Sequence, residues 1–229
     1  MRVLLLGDSH TVGGYGGELA RLFQSAGASV VRLAHVGANA GDYLTGKYAS
    51  EYNALRGTPF DLVVLTLGTN DAAASDYISP SKTADRIKAL AEGLTSRSTW
   101  YVGPPAFSNN AARTYNKVFA TEDLNSRAAR VFNAVRSIFG DRAIDPRPAT
   151  APFVKQTDIH LGQQGGAAWA KAVFDRIAAG AAAAPGNPAQ TSSTASTDGG
   201  SGSAAFPMIP VLFGAVLALL WLKRRRKSK

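Results

Sequence analysis

The sequence contains no cysteine and only 3 histidines among its 229 residues. The lack of cysteine excludes a disulfide framework, a thiolate nucleophile and a cysteine-based zinc site. With so few histidines, any metal site would have to rely on carboxylates. Glycine is plentiful, with 23 residues, but the absence of a Gly-X-Y period excludes collagen. At 45% hydrophobic residues, the chain is too apolar to be disordered throughout.

Acidic residues are outnumbered, but the excess of positive charge belongs to one end of the chain. The sequence has 25 basic and 16 acidic residues, for a net charge of +9. Six of the basic residues lie within residues 223–229, and without that segment 19 basic residues face the same 16 acidic ones. The body of the chain therefore carries little net charge, and the composition does not predict a nucleic-acid-binding domain.

Residues 1–180 are predicted to form one globular domain in which strands alternate with helices. Short apolar runs indicate the strands, and apolar residues at helical spacing indicate the helices. The predicted strands are residues 1–6, 29–33, 60–67, 99–102 and 142–145, and the predicted helices are residues 18–26, 82–94, 122–139 and 163–179. This alternation predicts an α/β fold with three layers, α/β/α, around a central parallel sheet. Ligands of such sheets bind at the carboxyl ends of the strands.

The remaining residues differ in composition from this domain. Residues 181–205 are rich in Ala, Gly, Ser, Thr and Pro, which predicts a flexible linker. Residues 206–222 contain no charge, end close to Trp221 and are followed directly by the basic tail, residues 223–229. This arrangement predicts a single C-terminal transmembrane helix, and therefore a membrane protein with a C-terminal anchor.

The side of the membrane on which the domain lies stays open. The excess of positive charge after the anchor favours a cytoplasmic tail and a domain outside the cytoplasm. No N-terminal signal peptide is visible, because the apolar run before Gly7 is too short to form one. A tail-anchored protein with a cytoplasmic domain is the other solution.

Ser9 is the candidate nucleophile, since it directly follows the first predicted strand. A serine on a tight turn between a strand and a helix projects its hydroxyl into the crevice at the sheet edge. Such a serine needs a general base, and the chain offers three histidines. His10 is adjacent to Ser9, and neighbours in sequence rarely point at each other, while His35 lies in a loop after the second strand. His160 is the best candidate because Asp158, two residues before it, can orient the imidazole.

Two further positions are candidates for binding the negatively charged oxygen that forms during acyl transfer. Such an oxygen needs hydrogen-bond donors that are already in place. Gly41 can offer a backbone N–H group from an open loop. Asn70 can offer its side-chain amide at the end of the third predicted strand, which is the most clearly indicated one.

These residues lie in four motifs that together resemble those of the SGNH hydrolases, also called the GDSL esterase/lipase superfamily. The motifs are Gly7-Asp8-Ser9-His10-Thr11-Val12-Gly13, Ala40-Gly41-Asp42, Gly68-Thr69-Asn70-Asp71 and Asp158-Ile159-His160. The chain departs from the family at His10, where Leu is common. It also separates Asp158 and His160 by one residue, where the family usually has two. With this spacing, either Asp158 or a backbone carbonyl can hold the imidazole.

The resemblance implies a flavodoxin-like SGNH fold and a serine esterase that uses neither a cofactor nor a metal. Ser9 would attack the ester carbonyl, His160 would take its proton and return it to the leaving alcohol, and Asp158 would fix the tautomer. The N–H groups of Ser9 and Gly41 and the amide of Asn70 would bind the oxyanion. The expected substrate is a small-molecule or glycan ester with a short acyl group such as acetyl, and an ester on a cell-envelope glycan near the membrane is one such substrate.

Other functions on the same fold stay open. An O-acyltransferase would use a sugar hydroxyl as the acceptor, and a lysophospholipase or thioesterase would accept a longer acyl chain. Tyr15, Tyr43 and Phe107 favour a lipid tail if they line the site, and carry no such meaning if they pack in the core. An inactive, membrane-tethered binding module is a further alternative, which only the irregular last motif supports.

Overall fold

The computed structural model describes residues 1–73, 78–108, 111, 123–156 and 158–182. Residues 1–177 form one compact unit, and the second unit, residues 178–229, is described only as far as Ala182. The predicted transmembrane helix, the basic tail and nearly all of the predicted linker lie outside the described residues. Among the helices that are described, none has the length and apolarity needed to cross a membrane.

The core of the domain is a parallel five-stranded sheet with the strand order β2-β1-β3-β4-β5. Its strands are β1 (Arg2–Gly7), β2 (Ser29–Ala34), β3 (Leu62–Thr66), β4 (Thr99–Val102) and β5 (Ala143–Ile144). Every neighbouring pair runs parallel, and Gly7 at the end of β1 is paired with Ala34 on one side and Thr66 on the other. The predicted parallel α/β sheet is confirmed, with strand ends that differ from the prediction by at most two residues.

Helices connect the strands, and the longer ones correspond to the predicted amphipathic segments. They are α1 (Ser9–Val12), α2 (Gly14–Ser25), α3 (Ala40–Leu44), α4 (Ala49–Leu55), α5 (Thr69–Ala73), α6 (Pro80–Glu92), α7 (Leu124–Phe139), α8 (Arg147–Thr150) and α9 (Gly162–Ala182). Side-chain caps fix the starts of α6 and α7, among others. The Ser79 hydroxyl accepts from the Lys82 N–H at α6, and the Asp123 carboxylate accepts from the Ser126 N–H at α7.

The two faces of the sheet bury different sets of side chains, because successive residues of a strand point to opposite faces. Leu4, Leu6, Val63 and Leu65 belong to one buried cluster with residues of α3, α6 and α7. Val3, Leu5, Leu62 and Val64 alternate with them and are equally buried on the other face. There, Phe23 of α2 packs edge-on against Phe174 of α9, with ring centroids 5.2 Å apart. The sheet is therefore covered on both faces, which gives the three-layer architecture.

Helix α9 approaches α2 unusually closely at Gly166. A Cβ atom at this position would lie 2.8 Å from the backbone nitrogen of Tyr15 and 3.0 Å from the carbonyl carbon of Gly14. Only glycine allows the two backbones to come so close. This contact places the beginning of α9, and the loop in front of it, next to the end of β1.

Candidate active site

Ser9 stands at the first position of α1, immediately after β1. The turn between them is tight, since a Cβ on Gly7 would lie 2.0 Å from Thr11 Oγ1 and 2.7 Å from the Thr66 carbonyl oxygen. Asp8 caps the helix, with its Oδ1 accepting a hydrogen bond from the His10 N–H at 3.0 Å. The serine hydroxyl is thus held at the carboxyl edge of the sheet, beside the centre strand β3.

The structure brings Ser9, His160 and Asp158 together. Ser9 Oγ lies 2.9 Å from His160 Nε2, and His160 Nδ1 lies 2.8 Å from Asp158 Oδ1. The other two histidines do not contact the serine hydroxyl: His35 binds Glu51 Oε2 at 3.1 Å and stacks on Tyr48, and the ring of His10 packs elsewhere, as described below. This Asp-His-Ser chain is the arrangement by which an imidazole can remove the proton of a serine.

The spacing of one residue between Asp158 and His160 is accommodated by a turn in which one oxygen serves twice. Asp158 Oδ1 accepts the His160 backbone N–H at 2.9 Å as well as its ring Nδ1. Lys155 Nζ lies 3.9 Å from the other oxygen, Oδ2. Partial burial acts to raise the pKa of Asp158, but the N–H groups of His160 outweigh it and hold the pKa below its usual value. A carboxylate therefore faces the imidazole, and no backbone carbonyl takes this place.

Asn70 lies in α5, which follows β3 after a short turn. Its Nδ2 donates one hydrogen bond to the Ala38 carbonyl at 2.9 Å. A side-chain amide carries two hydrogens, so the second remains available for another acceptor. The turn between β3 and α5 is held by Tyr101, which donates its hydroxyl hydrogen to the Leu67 carbonyl at 3.1 Å.

Gly41 is placed less favourably for binding an oxyanion than the sequence predicts. Its N–H donates to Asn39 Oδ1 at 2.8 Å, because Asn39 is the N-terminal cap of α3. The group is engaged in holding the helix start and can serve a ligand only by sharing its hydrogen. Gly37, which the sequence analysis did not single out, lies in the same loop with a positive φ of 76° and open space around the position of a Cβ. A sequence does not show a positive φ directly. The only sign of this conformation is the presence of a glycine in the turn after β2.

Two carboxyl groups, those of Asp8 and Asp71, are buried near the site, and the sequence analysis did not predict the shifts of their pKa values. Asp8 is 1% exposed, and burial raises its pKa to about 7. Asp71 is equally buried and accepts the Ala40 N–H at 3.2 Å; burial raises its pKa to about 6, against the opposing effect of that N–H and of Arg86. Neighbouring negative charge contributes in the same direction, since Asp71 adds to the rise in the pKa of Asp8.

His10 is buried rather than exposed to the crevice. Its side chain packs against two rings, those of His160 and Trp169, with centroids at 5.1 Å and 5.2 Å. Burial, and then the charge of His160, lower the pKa of His10 to about 3. The ring is therefore neutral at physiological pH.

The three aromatic residues that could have lined a lipid tail pack in the core instead. Tyr15 is 3% exposed, Tyr43 is fully buried and Phe107 is 6% exposed. The hydroxyl of Tyr15 lies 3.1 Å from Thr66 Oγ1, and that of Tyr43 donates to the Gly7 carbonyl at 2.6 Å. Their polar ends are thus satisfied inside the protein, and none of them offers a free face to an acyl chain. Across the described part of the chain, no cluster of three or more acidic or histidine side chains is arranged to hold a metal.

The chain is similar to known proteins in sequence and in fold. The sequence profile of the GDSL-like Lipase/Acylhydrolase family matches residues 5–168. That match includes Ser9, Asn70, Asp158 and His160. No curated protein is significantly similar to the chain in sequence.

Several solved structures share the fold. The carbohydrate acetylesterase Est24 from Sinorhizobium meliloti superposes with a TM-score of 0.63 at 17% identity, over 78% of this chain and 98% of that chain. The M. smegmatis aryl esterase superposes with a TM-score of 0.62 at 17% identity, over 78% and 98%. A catalytic mutant of Axe2, an acetylxylan esterase from Geobacillus stearothermophilus, gives 0.57 at 16% identity, over 77% and 93%. At these identities the likeness concerns the fold.

The burial of Asp8 predicts a stability that depends on pH. Because folding raises the pKa of this carboxyl to about 7 from 3.8, its contribution is fully present below pH 4 and is lost as the pH rises towards 7. We expect Asp8→Asn, which keeps the capping oxygen, to raise the free energy of unfolding at pH 8 by a few kcal/mol, at about 1.4 kcal/mol per pKa unit. Denaturant unfolding from pH 4 to 8 measures this. The exposed Asp85→Asn is the control and should follow wild type; an Asp8→Asn curve parallel to wild type would contradict the prediction.

Proposed function

The chain belongs to the GDSL-like lipase/acylhydrolase family of serine ester hydrolases, and we propose that it removes short acyl groups, acetyl above all, from a carbohydrate or a cell-envelope glycan. The observation that carries the catalytic part of this proposal is the continuous hydrogen-bonded chain from Asp158 through His160 to Ser9. Each of the three groups has the partner that its role requires.

In the proposed mechanism, Ser9 Oγ attacks the carbonyl carbon of the ester while His160 Nε2 accepts its proton. Asp158 keeps the other ring nitrogen protonated and stabilises the imidazolium that forms. The imidazolium then donates the proton to the leaving alcohol, which leaves the acyl group on Ser9. A water molecule, activated by the same imidazole, releases the carboxylic acid and restores the serine.

The negative charge that develops on the carbonyl oxygen needs donors at the carboxyl edge of the sheet. We assign this role to the Ser9 N–H and to the free hydrogen of the Asn70 amide, whose other hydrogen is held by Ala38. The Gly41 N–H contributes only if it is shared with Asn39. Fixed donors of this kind stabilise the transition state because they do not have to reorient during the reaction.

Two observations support a short acyl group. The aromatic residues Tyr15, Tyr43 and Phe107 are buried and hydrogen-bonded or packed in the core, so they form no surface for a lipid tail. The solved structures with the same fold include a carbohydrate acetylesterase and an acetylxylan esterase. A glycan ester also suits an enzyme that the predicted linker and anchor would hold close to a membrane.

The test is hydrolysis of p-nitrophenyl acetate, butyrate and octanoate by the full-length protein. We expect the acetate to give the highest kcat/KM and Ser9→Ala to abolish turnover, because the nucleophile is lost. Asp158→Ala should lower kcat by roughly 10³- to 10⁴-fold, because the imidazole loses both its tautomer and its orientation.

The matched control for Asp158→Ala is Asp175→Ala, which removes an exposed carboxylate paired with Lys171 on α9 and should leave kcat unchanged. Turnover that survives in Ser9→Ala would contradict the proposed nucleophile, and a preference for octanoate would contradict the short acyl group. Product analysis with an added sugar acceptor separates hydrolysis from acyl transfer, and an acylated sugar as the main product would make the protein a transferase.

Removal of the Asn70 amide tests the oxyanion site. We expect Asn70→Ala to lower kcat by about 10²- to 10³-fold with little change in KM, because the amide acts on charge that exists only in the transition state. The lost bond to Ala38 should cost stability by only about 1 kcal/mol. Kinetics and denaturant unfolding of the same sample compare the two effects, with Asn53→Ala on the exposed side of α4 as the control. A kcat equal to wild type would exclude Asn70 from the oxyanion site.

We further propose that residues 206–222 anchor the enzyme to a membrane, because the segment is uncharged and a basic tail follows it. The side of the membrane is left to experiment. Full-length protein should remain in the membrane fraction after carbonate washing. Leu212→Arg combined with Val216→Arg, near the middle of the segment, should release it, because each arginine in a bilayer centre costs about 2.5–3.5 kcal/mol on the insertion scale. Wild-type protein in the soluble fraction would rule out the anchor.

A further inference from the structure

His10 forms one wall of the pocket that holds the imidazole of His160. The two ring centroids are 5.1 Å apart and their planes are inclined by 48°. On its other side, His10 meets the ring of Trp169 edge-on at 5.2 Å. His10 is only 5% exposed, whereas the side chain of His160 is 42% exposed. The buried ring thus supports the half-exposed ring from the protein side.

The ring of His10 cannot move away, because it is held by packing from α9. Trp169 is 1% exposed and stacks on Tyr15, with centroids 4.0 Å apart and planes inclined by 22°. Tyr15 is in turn fixed by the contact between its hydroxyl and Thr66 Oγ1 of β3. The backbone of His10 is tied to the Asp8 carboxylate. A row of rings therefore runs from the sheet to the imidazole of His160.

The Nε2 atom of His10 adds no hydrogen bond to this support. This atom is buried and has no hydrogen-bond partner among the described residues. A buried polar nitrogen without a partner is costly, and an apolar side chain of similar size would avoid that cost. Because burial also keeps the ring neutral, His10 adds no charge next to the imidazolium that His160 would become.

We propose that His10 is a positioning residue for ester hydrolysis: its neutral aromatic ring holds the imidazole of His160 in line with Ser9 and stabilises the imidazolium. An aromatic ring attracts a cation that lies over its face within about 6 Å of the ring centroid, and the ring centroids of His10 and His160 are 5.1 Å apart. A leucine at this position would fill the space, but it would lack this face. The proposal rests on the catalytic role assigned to His160 above.

Among the described residues, few other charged groups surround the two rings. Asp158 faces His160 from its own loop, and Lys155 lies 3.9 Å from the far oxygen of Asp158. Asp8 belongs to the turn that precedes α1 and is bonded to the backbone of His10. Trp169, which packs against His10 from α9, and Tyr15, which stacks on Trp169 from α2, carry no charge at neutral pH. The substitutions below leave all of these groups in place.

The experiment compares full-length wild type with His10→Leu and His10→Phe. Kinetics over pH 4–9 give kcat, KM and the midpoint of the acid limb of kcat/KM. An NMR titration of the Hε1 signals of the histidines, only three in number, gives the midpoint for His160 without any need for turnover. Denaturant unfolding is measured on each sample. His35→Leu is the matched control, because His35 stacks on Tyr48 and does not contact His160.

We expect His10→Leu to lower kcat about tenfold at unchanged KM, because a small displacement of the base is costly. Both midpoints should move about 0.5 pH unit lower, because the imidazolium loses the π face. His10→Phe should restore most of both effects, since it keeps the ring and discards the nitrogens. The free energy of unfolding of His10→Leu should equal or exceed that of wild type.

Three outcomes would overturn the proposal. One is a His10→Leu enzyme with wild-type kcat and midpoints, which would make His10 inert filling. Another is a loss of kcat that only follows a loss of stability. The third is a His10→Phe enzyme as impaired as His10→Leu, which would assign the effect to a nitrogen. If wild type shows no turnover that depends on Ser9, the proposed function fails, whereas the NMR titration still tests the contact between the two rings.

Discussion

The close contact between α9 and the start of α2 is the constraint on which the catalytic arrangement depends. Gly166 allows the two backbones to meet at a distance that any side chain would prevent. Because α9 follows the loop of Asp158 and His160, this contact brings that loop to the end of β1. His160 thereby reaches Ser9, although the two residues are 151 positions apart in the chain. The tight turn at Gly7 is the second requirement of the catalytic arrangement, because it fixes the position of the serine hydroxyl.

Around this contact the protein places polar groups where burial makes them costly. Asp8, Asp71 and His10 are all nearly inaccessible to water, and burial shifts the pKa of each of them towards the neutral form. Such groups reduce stability unless they are satisfied, and here backbone N–H groups satisfy the two carboxyl groups in part. Asp8 and His10 are the neighbours of Ser9 in the chain. Their burial therefore reduces stability at the turn that positions the serine hydroxyl.

The candidate site was largely predictable because its side chains sit in short motifs at strand ends. In a parallel sheet, the carboxyl ends of neighbouring strands meet at one edge, so Ser9 after β1 and Asn70 after β3 had to lie near each other. The N–H of Gly41 is engaged by Asn39, and the rings of Tyr15, Tyr43 and Phe107, which were candidates for lining a lipid tail, pack in the core. The cap at Asn39 has a local signal, since Asn39 and Asp42 have the spacing of a capping box, whereas the burial of the three rings depends on which helix packs against which strand.

The alternation of strands and helices, the parallel sheet and the kinds of side chain available for chemistry could all be predicted from the amino-acid sequence. These follow from periodicity and composition, which are local properties. The folded structure was needed to show that Asp158 contacts both the backbone and the ring of His160, and that the ring of His10 packs against that imidazole. Those contacts join residues that are far apart in the chain or whose side-chain directions are set by packing, and a pattern of neighbours in sequence does not contain that information.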